Sequence, residues 1–221
     1  MGVTERRARE KEALRTKIIE ATSQLMVEEG IESVSIRRIA ERIEYSPATI
    51  YLYFKDKAEL IDAICEELFG QMVEALASVG DQEPDPLAKL RTGMRSYIEF
   101  GMSHPSHYLA VFGTVHPPSE MPGDAHRLGM DAFDILRQML RLCIGQGLLP
   151  ECDVETTSHA AWMCLHGVTM LMITTYGGAF PVYPYMTQAD RNHLIESALD
   201  LIIAGLHNCT LQPMPDGFTK K

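Results

Sequence analysis

The chain has 221 residues, of which 46% are hydrophobic, 23% charged and 7% aromatic, and its formal net charge is −10. This is the make-up of an ordinary soluble globule with a sizeable core, not of a low-complexity or uniformly basic chain. The acidic total argues against nucleic acid only until the charges are placed: residues 1–60 carry 11 Lys/Arg against 11 Asp/Glu, and the remainder 9 against 19. Affinity for phosphate follows the face presented rather than the sum.

In chain order, Leu14, Ile18, Ala21 and Leu25 recur at helical spacing and predict a first helix ending near Gly30. Ser35 reads as the N-cap of a short second helix, with Val34 and Ile39 placed as a hydrophobic staple and Ile36, Ile39, Ala40 and Ile43 facing inward. Ser46-Pro47 restarts the chain as a third helix over about 47–54, because serine caps and proline suits the first helical position. Asp56 with Glu59 three residues on predicts a long fourth helix through roughly Val79, and residues 80–86 break it. Further helices are expected near 86–103, 105–114, 124–146, 153–177 and 187–207, and the proline-bearing tail is irregular. The expected fold is therefore all-α, with about nine helices. A domain over 1–58 precedes a larger one over 59–210 and a tail over 211–221.

Two other classes are weighed on composition. Residues 156–189 contain no Asp, Glu, Lys or Arg, long enough to span a bilayer, yet His159, His166, several threonines and the Gly177-Gly178 break favour a buried interface helix. The five cysteines make no CxxC pair and the N-terminus is charged from Glu5, so free thiols in a reducing cytoplasm are expected.

Two short helices joined by a tight turn, braced by a third, make a DNA-reading unit. Residues 33–57, SVSIRRIAERIEYSPATIYLYFKDK, closely resemble the DNA-binding motif of the TetR family of transcriptional regulators. The match runs through Ile39-Ala40, Ser46, Thr49-Ile50-Tyr51, Tyr53-Phe54 and Lys57. One departure stands out: the turn usually carries glycine where this chain has Glu44. The resemblance implies DNA contacts from Ser35, Arg37, Arg38, Ser46, Pro47, Ala48, Thr49, Tyr51, Tyr53, Lys55 and Lys57. Hydroxyls suit phosphates and base edges, and Lys57 opens a helix whose amides attract anions. A Trp162-x3-His166-Gly167 pattern resembles one group of C-terminal domains in that family, and the last two helices are expected to pair two subunits. An effector-binding role is expected for Met94, Tyr97, Phe100, Tyr108, Phe112, Phe133, Trp162, Met163, His166 and Met170, an aromatic and methionine lining that suits a small apolar ligand.

The expected function is a cytoplasmic homodimeric repressor, released from a palindromic double-stranded operator by a small apolar effector, with no cofactor, metal or membrane. No Gly-rich phosphate loop, nucleophile elbow or HExxH motif supports an enzyme. The alternatives kept open are a metal-dependent regulator using His104, His107 and His116, a thiol-dependent one using Cys164, and a helical protein-interaction module without DNA specificity.

Overall fold

A computed structural model describes residues 3–79, 83–113, 123–176 and 186–212. Among the described residues every regular element is helical: α1 (Val3–Glu29), α2 (Ile36–Ile43), α3 (Pro47–Tyr51), α4 (Lys57–Val79), α5 (Pro86–Ser103), α6 (Pro105–Phe112), α7 (Gly123–Gly145), α8 (Val154–Leu171) and α9 (Gln188–His207). A 3₁₀ turn, Ile31–Ser33, precedes α2, and a π turn, Met172–Tyr176, extends α8. No described helix is long and apolar enough to cross a membrane. The uncharged stretch at 156–189 supplies α8 and its π turn, and residues 177–185 of it fall outside the described residues.

The chain divides into two compact units. The first comprises residues 1–70 and 104–128. It runs past residue 58 to take in the first part of α4, and α6 returns to pack along α1. Most of the expected inner positions are buried, with Ile18, Ala21, Leu25, Ile39, Ala40, Ile43, Ile50 and Phe54 each no more than 5% exposed, whereas Leu14 and Ile36, nearer the helix starts, are only half-buried. Gly30, at φ 82°, lets the backbone leave α1, and the Ser33 hydroxyl shares its one proton between the Glu29 and Gly30 carbonyls at the end of that helix, each 2.7 Å away. Arg38–Glu29 and Arg42–Glu28, each at 2.6 Å, tie the end of α1 to α2.

The second unit comprises residues 71–103 and 129–221, in which α5 packs on α8 and α9, and α8 on α9. Asp153 caps α8 by accepting from the Thr156 amide at 2.8 Å. A reciprocal capping box between Thr187 and Asp190 starts α9. Arg91 and Arg95 on α5 both pair with Glu196 on α9, and Arg91 reaches Asp200 at 2.6 Å, so the seam between these helices is fixed in register by charge. A Cβ built on Gly93 would lie 3.1 Å from the Met139 sulfur, so glycine there admits that thioether against α5.

Candidate nucleic-acid interface

Local chemistry holds the α2–α3 pair in place. Ser35 is extended (φ −144°, ψ 155°) and accepts from the Arg38 amide at 3.4 Å. Ser46 accepts from the Thr49 amide at 3.1 Å, and its hydroxyl lies 2.9 Å from that of Thr49. Between the helices Glu44 adopts φ 62° and ψ 42°, the left-handed conformation that a glycine would take without cost. It does so because the Tyr45 amide closes back on the Ala40 carbonyl at 2.9 Å, satisfying the end of α2.

α3 is shorter than expected. It stops at Tyr51, and the amides of Leu52 and Tyr53 bond three residues back, to Thr49 and Ile50, in a tightened last turn that still carries Phe54 inward. With Ile50 and Phe54 anchored at 0% and 2% exposure, α3 turns Pro47, Ala48 and Tyr51 to solvent. Thr49 and Tyr53 are half-buried. Two exposed residues beside this tip escaped the sequence reading: Leu52, at 78%, and Tyr45, whose ring lies under the Lys17 ammonium. Leu52 follows Ala48 by four residues, a helical spacing that would have put it on the outward face; Tyr45 had no such signal.

The cations differ in freedom. Arg37 is largely exposed and holds Glu41, also exposed, at 2.9 Å, a pair of the kind that contributes little to stability. Arg38 is engaged with Glu29. Lys55 is exposed, and its backbone amide donates to Glu59 at 2.6 Å. Lys57 is not the open phosphate donor of the expectation: half-buried, it donates from Nζ to the Ile31 carbonyl and braces α4 against the α1–α2 connection. The Glu59 amide donates to the Asp56 carboxylate at 2.9 Å, so the start of α4 forms as its sequence requires.

The residues expected to meet an effector fall into separate groups. In the second unit the Trp162 indole donates to the Tyr97 hydroxyl at 3.1 Å, with Phe133 at 6.3 Å edge-on and His166 at 5.6 Å. Burial keeps the His166 ring below its usual pKa, favouring neutral imidazole. Met94 and Phe100 are buried in the same unit and Met170 half-buried. In the first unit Tyr108 and Phe112 cluster instead with Phe69, with ring centroids 4.7 and 5.8 Å apart along the series. Met163 departs from the expected lining: it is 61% exposed, because the residue after Trp162 is turned some 100° around the helix. It shares the outer surface of the last two helices with Leu171, at 53%, and Leu201, at 76%. Among the described residues no group of three or more His, Cys, Asp or Glu is arranged to hold a metal, and His116 lies outside them.

Residues 18–64 match the family model described as bacterial regulatory proteins, tetR family, and residues 90–202 match tetracyclin repressor-like, C-terminal domain. The chain belongs to the TetR family. It is thus a DNA-binding transcriptional regulator rather than an enzyme, and the helix-turn-helix reading of α2 and α3 holds. This TetR-family chain is 23% identical over 193 residues to the fatty acid metabolism regulator protein of Bacillus subtilis, covering 87% of this chain and 95% of that one. FadR from Bacillus subtilis, solved in complex with stearoyl-CoA, aligns with a TM-score of 0.71 at 18% identity, over 87% of this chain and 99% of that one. PfmR of Thermus thermophilus aligns equally well, with a TM-score of 0.71 at 21% identity over 86% and 98%. Identities this low carry the shared fold and nothing finer.

Proposed function

We propose that this TetR-family regulator is a homodimeric repressor that occupies a palindromic operator and leaves it when a small apolar molecule binds in the second unit. The observation that carries the DNA half of this reading is the outward tip of α3: Pro47, Ala48 and Tyr51 exposed on a helix locked by the Ser46 cap and by buried Ile50. A short apolar and hydroxyl-bearing tip fits thymine methyls and phosphates, with Arg37 and Lys55 as backbone contacts. Ser35, Arg38, Tyr53 and Lys57 act mainly by holding the tip at the right angle. The effector half is supported by the aromatic group around Trp162 and by the Bacillus relative that was solved with stearoyl-CoA. The acyl chain of such a thioester is the apolar ligand proposed here. Release is a population shift: the ligand favours an arrangement whose reading helices no longer match two half-sites.

The test begins with selection of bound duplexes from a random library. An inverted repeat with half-sites about 10 bp apart or a multiple of that is expected, and Tyr51→Ala or Thr49→Ala should weaken its binding without changing helicity. A library that yields no sequence preference would remove the operator reading. Trp162 is the single tryptophan of the chain, so its emission reports on the effector site. Long-chain acyl-CoA should change that emission and release the selected duplex over the same concentration range. Emission and DNA binding that both ignore acyl-CoA would remove the effector assignment and leave the operator intact.

A further inference from the structure

Two cysteines far apart in sequence meet in the second unit. Cys152 precedes α8 and Cys209 follows α9, and both bond the buried hydroxyl of Thr157, at 3.3 and 3.4 Å from their sulfurs. One buried oxygen thus holds both sulfurs within hydrogen-bonding reach. Backbone fixes the junction, since the Asp153 amide donates to the Leu211 carbonyl at 3.2 Å. Burial by itself raises the Cys209 thiol, but donation from Thr157, the Leu211 amide and Cys152 outweighs it and lowers it. Cys152 moves the other way, chiefly through burial. The Thr157 hydroxyl donates to the Cys152 sulfur, while its bond to Cys209 can run either way. A hydroxyl has one proton to give, so on ionisation of Cys209 it turns to that thiolate and Cys152 keeps its own proton. One sulfur is thereby prepared as the nucleophile and its neighbour as the thiol that follows. The remaining thiols lack this setting: burial pushes Cys65 up to about 12 and raises Cys143, while Cys164 stands exposed on α8.

We propose that Cys152 and Cys209 form a peroxide-responsive dithiol that closes to an intramolecular disulfide, fastening the end of α9 to the start of α8. In the first step the Cys209 thiolate attacks one oxygen of hydrogen peroxide. An S–O bond forms as the O–O bond breaks, and the departing hydroxide takes up a proton as water. In the second the Cys152 sulfur attacks the sulfenic sulfur, the S–S bond forms, and the hydroxyl leaves with the Cys152 proton as a second water. The two sulfurs give up two electrons and the peroxide accepts them. Thiol–disulfide exchange with a small dithiol returns the pair. Because α8 and α9 also carry Met163, Leu171 and Leu201, the most exposed large apolar side chains of the second unit, the clasp lies at one end of the two helices that bear them.

The site is tested on the purified full chain without DNA or effector, so its outcome is separate from the operator and acyl-CoA results. Peroxide is titrated in, free thiols are alkylated, and digested peptides are weighed. A Cys152–Cys209 cross-linked peptide should appear at lower peroxide than any Cys164 oxidation, with two of the five thiols lost, and dithiothreitol should restore both. Cys152→Ser should stop the reaction at a Cys209 sulfenic acid that dimedone traps. Thr157→Val, which keeps the shape but removes the hydroxyl, should slow closure about tenfold near neutral pH by withdrawing a donor from the thiolate. Circular dichroism establishes that each variant is folded. Cys152 and Cys209 still alkylated after peroxide, a Cys164–Cys164 link between chains as the main product, or no dimedone adduct in folded Cys152→Ser would each overturn the proposal.

Discussion

Glu44 sits at φ 62°, the sole non-glycine residue with positive φ among the described residues. A β-carbon in that region crowds the following carbonyl at a cost of about 1–2 kcal/mol. Glycine removes the crowding but has more freedom to lose on folding, about 0.5–1 kcal/mol. Glu44→Gly should therefore stabilise the protein by roughly 0.5–1 kcal/mol, a rise of about 1–4 °C in melting temperature at this chain length. Glu44→Ala keeps the crowding and should bring no such gain. Equal midpoints for the glycine and alanine variants in thermal unfolding would mean that the turn is unstrained. The strain was visible beforehand only as a residue out of place in a resembling motif; the backbone bond from Tyr45 to Ala40 explains why the turn forms regardless.

At the scale of elements, α6 packs on α1 and brings His107 with it. Burial, and to a lesser degree nearby His104, holds the His107 ring below its usual pKa, while Glu20 opposes the shift, and the His107 Nε2 has no hydrogen-bond partner among the described residues. The fold thus prefers neutral imidazole, whereas the unfolded chain accepts a proton near pH 6.5. Between the two values the unfolded state binds more protons, so stability is fully kept above about pH 6.5 and declines as pH falls toward the lower, folded value. His107→Phe should flatten that decline, measured as the difference in urea midpoint between pH 7.5 and pH 5; an unchanged difference would assign the acid sensitivity elsewhere, His166 being next. The helix starts at Ser35 and Ser46 and the stop at Gly30 were legible because caps and breakers act on their immediate neighbours. What stayed hidden depends on chain-distant packing. Periodicity sets Met163 off the Trp162 face, so its exposure was open to a stricter count; but periodicity does not say what lies against a face, so it did not separate Tyr108 and Phe112 from the Trp162 group. Nor did it bring Cys152 to Cys209, whereas the one thiol it singled out, Cys164, stands apart on the surface.

For the molecule as a whole, the acidic remainder and the balanced first 60 residues divide the labour: the body repels the duplex while the reading head approaches it. A head this small makes few contacts, so useful operator affinity requires two heads on one scaffold. Met163, Leu171 and Leu201 are large apolar side chains left exposed on the last two helices, and small or flexible neighbours, Cys164, Ala204 and Gly205, are exposed with them. Single exposed apolar residues need no explanation, but several gathered on one helix pair do. A second copy of the same surface is the occupant that the proposed two-fold operator calls for. Leu201→Glu places a charge at the most exposed of the three, where an isolated chain tolerates it readily and a dry self-association seam does not. The variant should keep its helicity by circular dichroism yet elute as a monomer under light scattering at concentrations where the parent chain is dimeric. Its affinity for a two-half-site duplex should fall by about 10²–10⁴-fold, the loss expected when the second contact is no longer tethered, while its affinity for a single half-site stays unchanged. A Leu201→Glu chain that remains dimeric would place the subunit contact away from α9.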